Sequence, residues 1–131
     1  MFERIDHVGI VVADIDSALA VYGKDFELEL VHREVLAHLG LELAMLQIGE
    51  SRIELLAQTG DDSVIAGAAH GMHHVAYGVR DVDAALEVLR SREVELVEGF
   101  PKTGVLDSRV AFVHPHATGG VLTELVQEAA A

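Results

Sequence analysis

Residues 5–22 (IDHVGIVVADIDSALAVY) return in altered form at residues 72–89 (MHHVAYGVRDVDAALEVL), with eight of eighteen aligned positions identical at an offset of 67. The identities are His7/His74, Val8/Val75, Val12/Val79, Asp14/Asp81, Asp16/Asp83, Ala18/Ala85, Leu19/Leu86 and Val21/Val88. A repeat of this length means two copies of one supersecondary unit, each too small to bury its apolar face alone. The fold therefore has to be built twice, with one histidine at the same place in each half.

The likeness continues past the first helix. SRIELLAQ carries Glu54 near the end of the first copy and GGVLTELVQ carries Glu124 near the end of the second, now at an offset of 70. The three extra residues are assigned to a hairpin, where IGES (48–51) is answered by the longer HPHATGG (114–120). Surface turns accept such insertions at small cost.

Residues 4–12 (RIDHVGIVV) read as a strand, and Asp14 then opens a helix with apolar residues at Ile15, Leu19 and Tyr22, which Gly23 is expected to end early. ELELVHREV (27–35), LELAMLQIG (41–49) and SRIELLAQ (51–58) read as three strands. Residues 59–71 form a connector in which Asp61-Asp62-Ser63 is expected to start a short helix. The second copy repeats the plan, with a strand at 72–80, a helix at 81–91, strands at 93–98, 108–114 and 119–127, and a loop from Pro101 to Ser108. The Asp-x-Asp pairs read as helix caps, because no calcium-loop pattern surrounds them. The expected fold is α+β, one domain over 1–131. Module one (about 1–58) and module two (about 72–131) are paired βαβββ units forming a curved mixed sheet around a metal-binding cleft.

Alternation along a strand puts His7 on one face with Ile5 and Gly9, and His74 with Met72 and Ala76, while His73 points the other way. Glu54 and Glu124 lie in runs (IELL, LTELV) with apolar residues on both faces, so each is expected to be buried, and an unpartnered buried carboxylate is costly. Two imidazoles and two carboxylates suit a first-row divalent ion with open positions. No short metal signature such as H-E-x-x-H is present, so only the repeat brings His7, Glu54, His74 and Glu124 together.

The absence of cysteine excludes a disulfide framework and a thiolate zinc site. A formal charge of −13 argues against nucleic acid or an anionic membrane as partner. No apolar run is long enough to span a bilayer, and the first strand begins within a few residues of Met1, so the chain reads as soluble and cytoplasmic. An anionic small molecule remains possible where cations gather, at Lys24 with His32-Arg33 or at Lys102 with Arg109.

IDHVGIVVADIDSALAVY, IELLAQ, GMHHVAYGVRDVDAALEVL and RVAFVHPHATGGVLTELVQ closely resemble the vicinal oxygen chelate superfamily and, within it, the methylmalonyl-CoA epimerases. The pattern F-x-H-P-x-x-x-G-G-V-L-x-E-L is the part most specific to the epimerase branch; glyoxalase I carries an aspartate-proline-aspartate-glycine type of turn there. The resemblance implies one divalent ion (cobalt, manganese, nickel, zinc or magnesium) held by His7, Glu54, His74 and Glu124, an acyl-CoA substrate and a homodimer. It implies epimerisation by α-proton abstraction through a metal-stabilised enolate, with Glu124 as one proton carrier and Glu54 the next candidate for the second. The position that bears a glutamate in some epimerases is Leu43 here, and the adjacent Glu42 faces the other way. Arg109, the last residue of a loop that keeps only Gly104 and that arginine, and His116, where epimerases often have lysine, are the expected substrate contacts. Two alternatives stay open: a glyoxalase I type of lyase (lactoylglutathione lyase) and a non-catalytic small-molecule-binding module. A ring-cleaving dioxygenase commonly uses three protein ligands rather than four.

Overall fold

The computed structural model describes residues 1–130. Strand β1 (Phe2–Val11), helix α1 (Ile15–Leu19) and strands β2 (Glu29–Leu36), β3 (Leu41–Ile48) and β4 (Ser51–Gln58) form one βαβββ module. Strand β5 (Gly71–Val79), helix α2 (Val82–Ser91) and strands β6 (Lys102–Thr103), β7 (Arg109–Val113) and β8 (Thr123–Gln127) form the other. By its internal packing the chain divides within β1, into His7–His73 and a second unit that joins Met1–Asp6 to the chain from His74 onward.

In the first unit the strand order is β2-β3-β4-β1, with β1 and β4 parallel and the other pairs antiparallel. Asp14 is extended at φ −151° and accepts hydrogen bonds from the Ser17 N–H and hydroxyl at 2.8 and 2.7 Å. Such a cap satisfies donors that the first helical turn leaves open. The helix sets Ile15, Ala18 and Leu19 on Ala44, Leu46, Leu55 and Ala57, so one face of the sheet is the core and the opposite face is left for Leu43, Met45 and Glu54. Gly23 does not end the coil. The chain continues through it as a π-helical turn, Ala20–Asp25, closed by the Phe26 N–H on the Val21 carbonyl. Gly23 keeps a negative φ, so nothing in its backbone forces a break.

The connector holds successive turns rather than a helix: Ser63, Ala66 and Ala68 N–H groups bond the carbonyls three residues back. Gly67, at φ +81°, interrupts any helical continuation. The segment is anchored instead by the Thr59 and Val64 N–H groups on the Gly40 and Leu39 carbonyls. Gly40 is required there twice over, since its φ is +64° and a Cβ would fall 2.7 Å from the Ser63 Cα.

The second unit has the order β5-β8-β7-β6, with the equivalent pair β5–β8 parallel and the rest antiparallel. Asp81 repeats the cap of Asp14, accepting from the Ala84 N–H at 3.0 Å, and Gln127 adds an acceptor for the Val82 N–H at 2.9 Å. Val82, Ala85 and Leu86 pack on Val79, Ala111 and Leu125. The stretch expected as a strand at 93–98 makes only one bridge, Leu96 to Val113, and the edge strand falls instead at Lys102–Thr103 inside the expected loop. Strand β8 starts at Thr123 rather than 119, because a 3-10 turn at Pro115–Ala117 and two glycines at positive φ, Gly119 and Gly120, fill the connection. Within this unit Phe2 stacks on Tyr77 at 4.6 Å, and Arg4 bonds Asp6 and Glu128 at 2.9 and 3.1 Å. The Arg4 guanidinium lies where a side chain at Gly78 would have to be.

Candidate metal centre

Each unit carries one histidine–glutamate pair, and the two pairs are built by the same register. In the first, Glu54 on β4 lies beside Gly9 of β1, two residues after His7; in the second, Glu124 on β8 lies beside Ala76 of β5, two residues after His74. Residues two apart on a strand share a face, so each carboxylate is directed to its histidine. The antiparallel neighbours agree: Met45 pairs Glu54 and Phe112 pairs Glu124, with Met45 and Phe112 at the repeat offset of 67. Glu54 follows Met45 by nine residues and Glu124 follows Phe112 by twelve, so the three extra residues sit in the β7–β8 connection and leave the site register intact.

The Nε2 to Oε1 separations are 3.7 Å for His7 and Glu54 and 3.1 Å for His74 and Glu124. All four residues are buried, at 3 % for His7, 6 % for Glu54, 5 % for His74 and 7 % for Glu124. The Phe112 ring meets His74 edge-on at 6.2 Å between centroids. Donors about 2.1 Å from a divalent ion lie ~3.0 Å apart at right angles and ~3.4 Å apart in a tetrahedron. Both separations match such edges to within a few tenths of an ångström, and a nitrogen and oxygen donor set fits zinc, cobalt, nickel or manganese. Each pair alone offers two ligands.

The other expected residues are placed differently. Arg109 shares the helix-bearing face with Ala111, opposite the face of Phe112 and Glu124, and it forms a two-pronged ion pair with Asp83 of α2 at 2.9 and 3.0 Å. Its expected substrate contact therefore has a physical obstacle, strand alternation, that the loop comparison could not reveal. The same hydrogen bond holds the Asp83 carboxyl below the ordinary carboxylate range and pushes the Arg109 guanidinium up. His116 is exposed and lies beside Glu95 and His114. Glu42 bonds Arg33 at 2.9 Å on the helix side, as its alternation predicts, and Leu43 is buried on the face of Glu54.

The sequence places His32 only in a cation group with Lys24 and Arg33, and it gives Glu34 no part. His32 and Glu34 on β2 pair with Met45 and Leu43, which puts them on the side of Glu54, and they bond each other at 3.0 Å. Both are half-buried while Val31, Arg33 and Val35 are exposed. The alternation was present in VHREV, but two polar residues on one strand face carry no sign of which face it is.

Residues 6–112 match the glyoxalase/bleomycin resistance protein/dioxygenase superfamily. The chain belongs to that superfamily. Among its members, this chain is 33 % identical over 133 residues to the ethylmalonyl-CoA/methylmalonyl-CoA epimerase of Cereibacter sphaeroides, covering 97 % of this chain and 99 % of that one. It is 33 % identical over 129 residues to the human mitochondrial methylmalonyl-CoA epimerase, covering 95 % and 73 %. Among solved structures, it superposes on a Streptomyces coelicolor methylmalonyl-CoA epimerase variant in complex with 2-nitronate-propionyl-CoA with a TM-score of 0.90 and 38 % identity, covering 99 % of this chain and 100 % of that one.

Proposed function

We propose that this chain is a metal-dependent epimerase of methylmalonyl-CoA or a closely related 2-substituted acyl-CoA. The observation that carries the reading is the pair of register-equivalent, buried histidine–glutamate couples. Similarity to epimerases over nearly the whole chain supports the substrate class.

The α-hydrogen of such a substrate lies between a thioester and a carboxylate, and its removal moves charge onto oxygen. His7, Glu54, His74 and Glu124 would hold one divalent ion, which would supply Lewis-acid stabilisation of that charge. The chain's own part is to position and to move protons. Glu124 takes the α-proton on one face, and a second carboxylate returns a proton on the other, which inverts the centre without net consumption of anything. The face of Glu54 carries the candidates for that return, Glu54 itself and Glu34. Burial of all four residues keeps bulk water from competing for the proton. The reading carries with it a homodimer in the cytoplasm; a monomer by sedimentation at working concentration would remove the first part.

Incubating metal-loaded protein with methylmalonyl-CoA in deuterium oxide tests the proposal. Deuterium at the α-carbon and conversion of a single C2 epimer to a mixture of both are expected, both abolished in His7→Ala and Glu124→Ala. Absence of exchange, with turnover of a glutathione hemithioacetal instead, would establish the lyase in its place.

A further inference from the structure

We propose a second, surface site for a borderline divalent transition-metal ion in module two, with Glu95, His114 and His116 as its protein ligands. One donor atom from each of the three residues lies within 4.8 Å of the others. Glu95 Oε2 is 3.5 Å from His116 Nδ1 and 4.0 Å from His114 Nδ1, and the two imidazole centroids are 4.2 Å apart.

Two of the ligands are set by backbone rather than by chance rotamers. The His114 N–H bonds the Glu95 carbonyl at 2.9 Å and the Val97 N–H bonds the Phe112 carbonyl at 2.9 Å, so Glu95 and His114 are held as cross-strand neighbours. His114 then begins the 3-10 turn Pro115–Ala117, which brings His116 back over it. That turn is closed by the Ala117 N–H on the His114 carbonyl and by the Gly120 N–H on the Pro115 carbonyl, at 2.9 and 2.8 Å. Donors in a site with ~2.1 Å bonds lie ~3.0–3.4 Å apart. Closing the observed gaps takes about half an ångström, and the Glu95 and His116 side chains, 57 % and 78 % exposed, have room to supply it. Binding through His114 Nδ1 would replace the 3.2 Å hydrogen bond it accepts from the His116 N–H.

Two imidazoles and one carboxylate select zinc, nickel or copper over magnesium and calcium, which prefer all-oxygen shells. Exposure leaves a further position to water. Module one has no counterpart, because its β3–β4 connection is the two residues Gly49-Glu50. The site therefore belongs to the insertion that distinguishes the two copies, and it would clip the segment after α2 to the β7–β8 turn. It stands apart from the epimerase reading and is tested without an activity.

The experiment is calorimetric titration of the full chain, as purified, with zinc, alongside His116→Ala, Glu95→Ala and His7→Ala. In addition to any equivalent taken up by the four buried residues, which His7→Ala should weaken, one equivalent per chain is expected that weakens at least tenfold in both His116→Ala and Glu95→Ala, is unchanged in His7→Ala, and raises the melting temperature as it fills. Magnesium at the same concentrations should not compete. The absence of a zinc equivalent that is sensitive to both His116→Ala and Glu95→Ala would overturn the site.

Discussion

Replacing each carboxylate of the two pairs by its isosteric amide, Glu54→Gln and Glu124→Gln, separates what the repeat makes equal from what it leaves unequal. The two glutamates occupy the same register position and differ in burial by only one percentage point. At the proposed site each amide removes one negative charge from a set of two imidazoles and two carboxylates, and leaves a weaker, neutral carbonyl oxygen in place of a charged ligand. Disturbing a partner that merely orients a ligand weakens metal affinity 10–100-fold, so stripping a ligand of its charge should cost at least about tenfold, or ~1.4 kcal/mol, in either variant. Positioned proton transfer is worth 10²–10⁴-fold, ~2.7–5.4 kcal/mol, and falls on Glu124→Gln in addition to the metal loss. Measured at saturating metal, Glu124→Gln should stay at least a hundredfold down, whereas Glu54→Gln should recover much of its rate if Glu34 returns the second proton and stay down if Glu54 does. Competition with a metal-binding chromophore gives the affinities and α-deuterium exchange gives the rates. If either variant binds the ion as tightly as the unaltered chain, or if Glu124→Gln recovers fully with excess metal, the reasoning fails.

Four further outcomes are expected. Glu34→Gln should leave metal affinity unchanged, and an at least tenfold fall in epimerisation would assign it the second proton transfer in preference to Glu54; an unchanged rate leaves Glu54 in that role. Leu46→Ala and Leu125→Ala, both fully buried under a helix, should each cost about 2–5 kcal/mol in urea unfolding, and a cost below 1 kcal/mol would contradict the core assignment. Gly40→Ala should destabilise by about 1–3 kcal/mol through its positive φ and the close Ser63 backbone, and an unchanged urea midpoint would refute the strain. The Asp83 carboxyl is held low by Arg109, so its contribution is complete above the ordinary value of ~3.9 and is lost as pH falls through the lower native value. The stability deficit of Asp83→Asn should therefore be constant down to about pH 5 and shrink below ~4; a deficit that widens on acidification contradicts the linkage.

The sequence disclosed the parts of this protein that are repeated. His7 and His74 lie at one offset, Asp14 and Asp81 cap equivalent helices, and the three-residue insertion falls in the β7–β8 connection where a turn can absorb it. Its limits lie where the copies or the local signals diverge. Gly23 looked like a stop signal, but a π-helical turn runs through it because a glycine permits a break without requiring one. Asp61-Asp62-Ser63 looked like a helix start, but tertiary hydrogen bonds to Leu39 and Gly40 held the connector in turns. Arg109 was placed near substrate by position in a loop, and strand alternation turned it to Asp83. His32 and Glu34 needed the β2–β3 register, a long-range fact, before their face could be known.

The central claim is that both histidine–glutamate pairs serve one ion on which epimerisation depends. Titrating metal-stripped His116→Ala protein, in which the surface site is disabled, with cobalt while recording methylmalonyl-CoA epimerisation tests it most directly. Activity should rise linearly and saturate at one equivalent per chain, and should fail to appear in His7→Ala or His74→Ala at the same loading. Full epimerase activity in the metal-free chain would contradict the account.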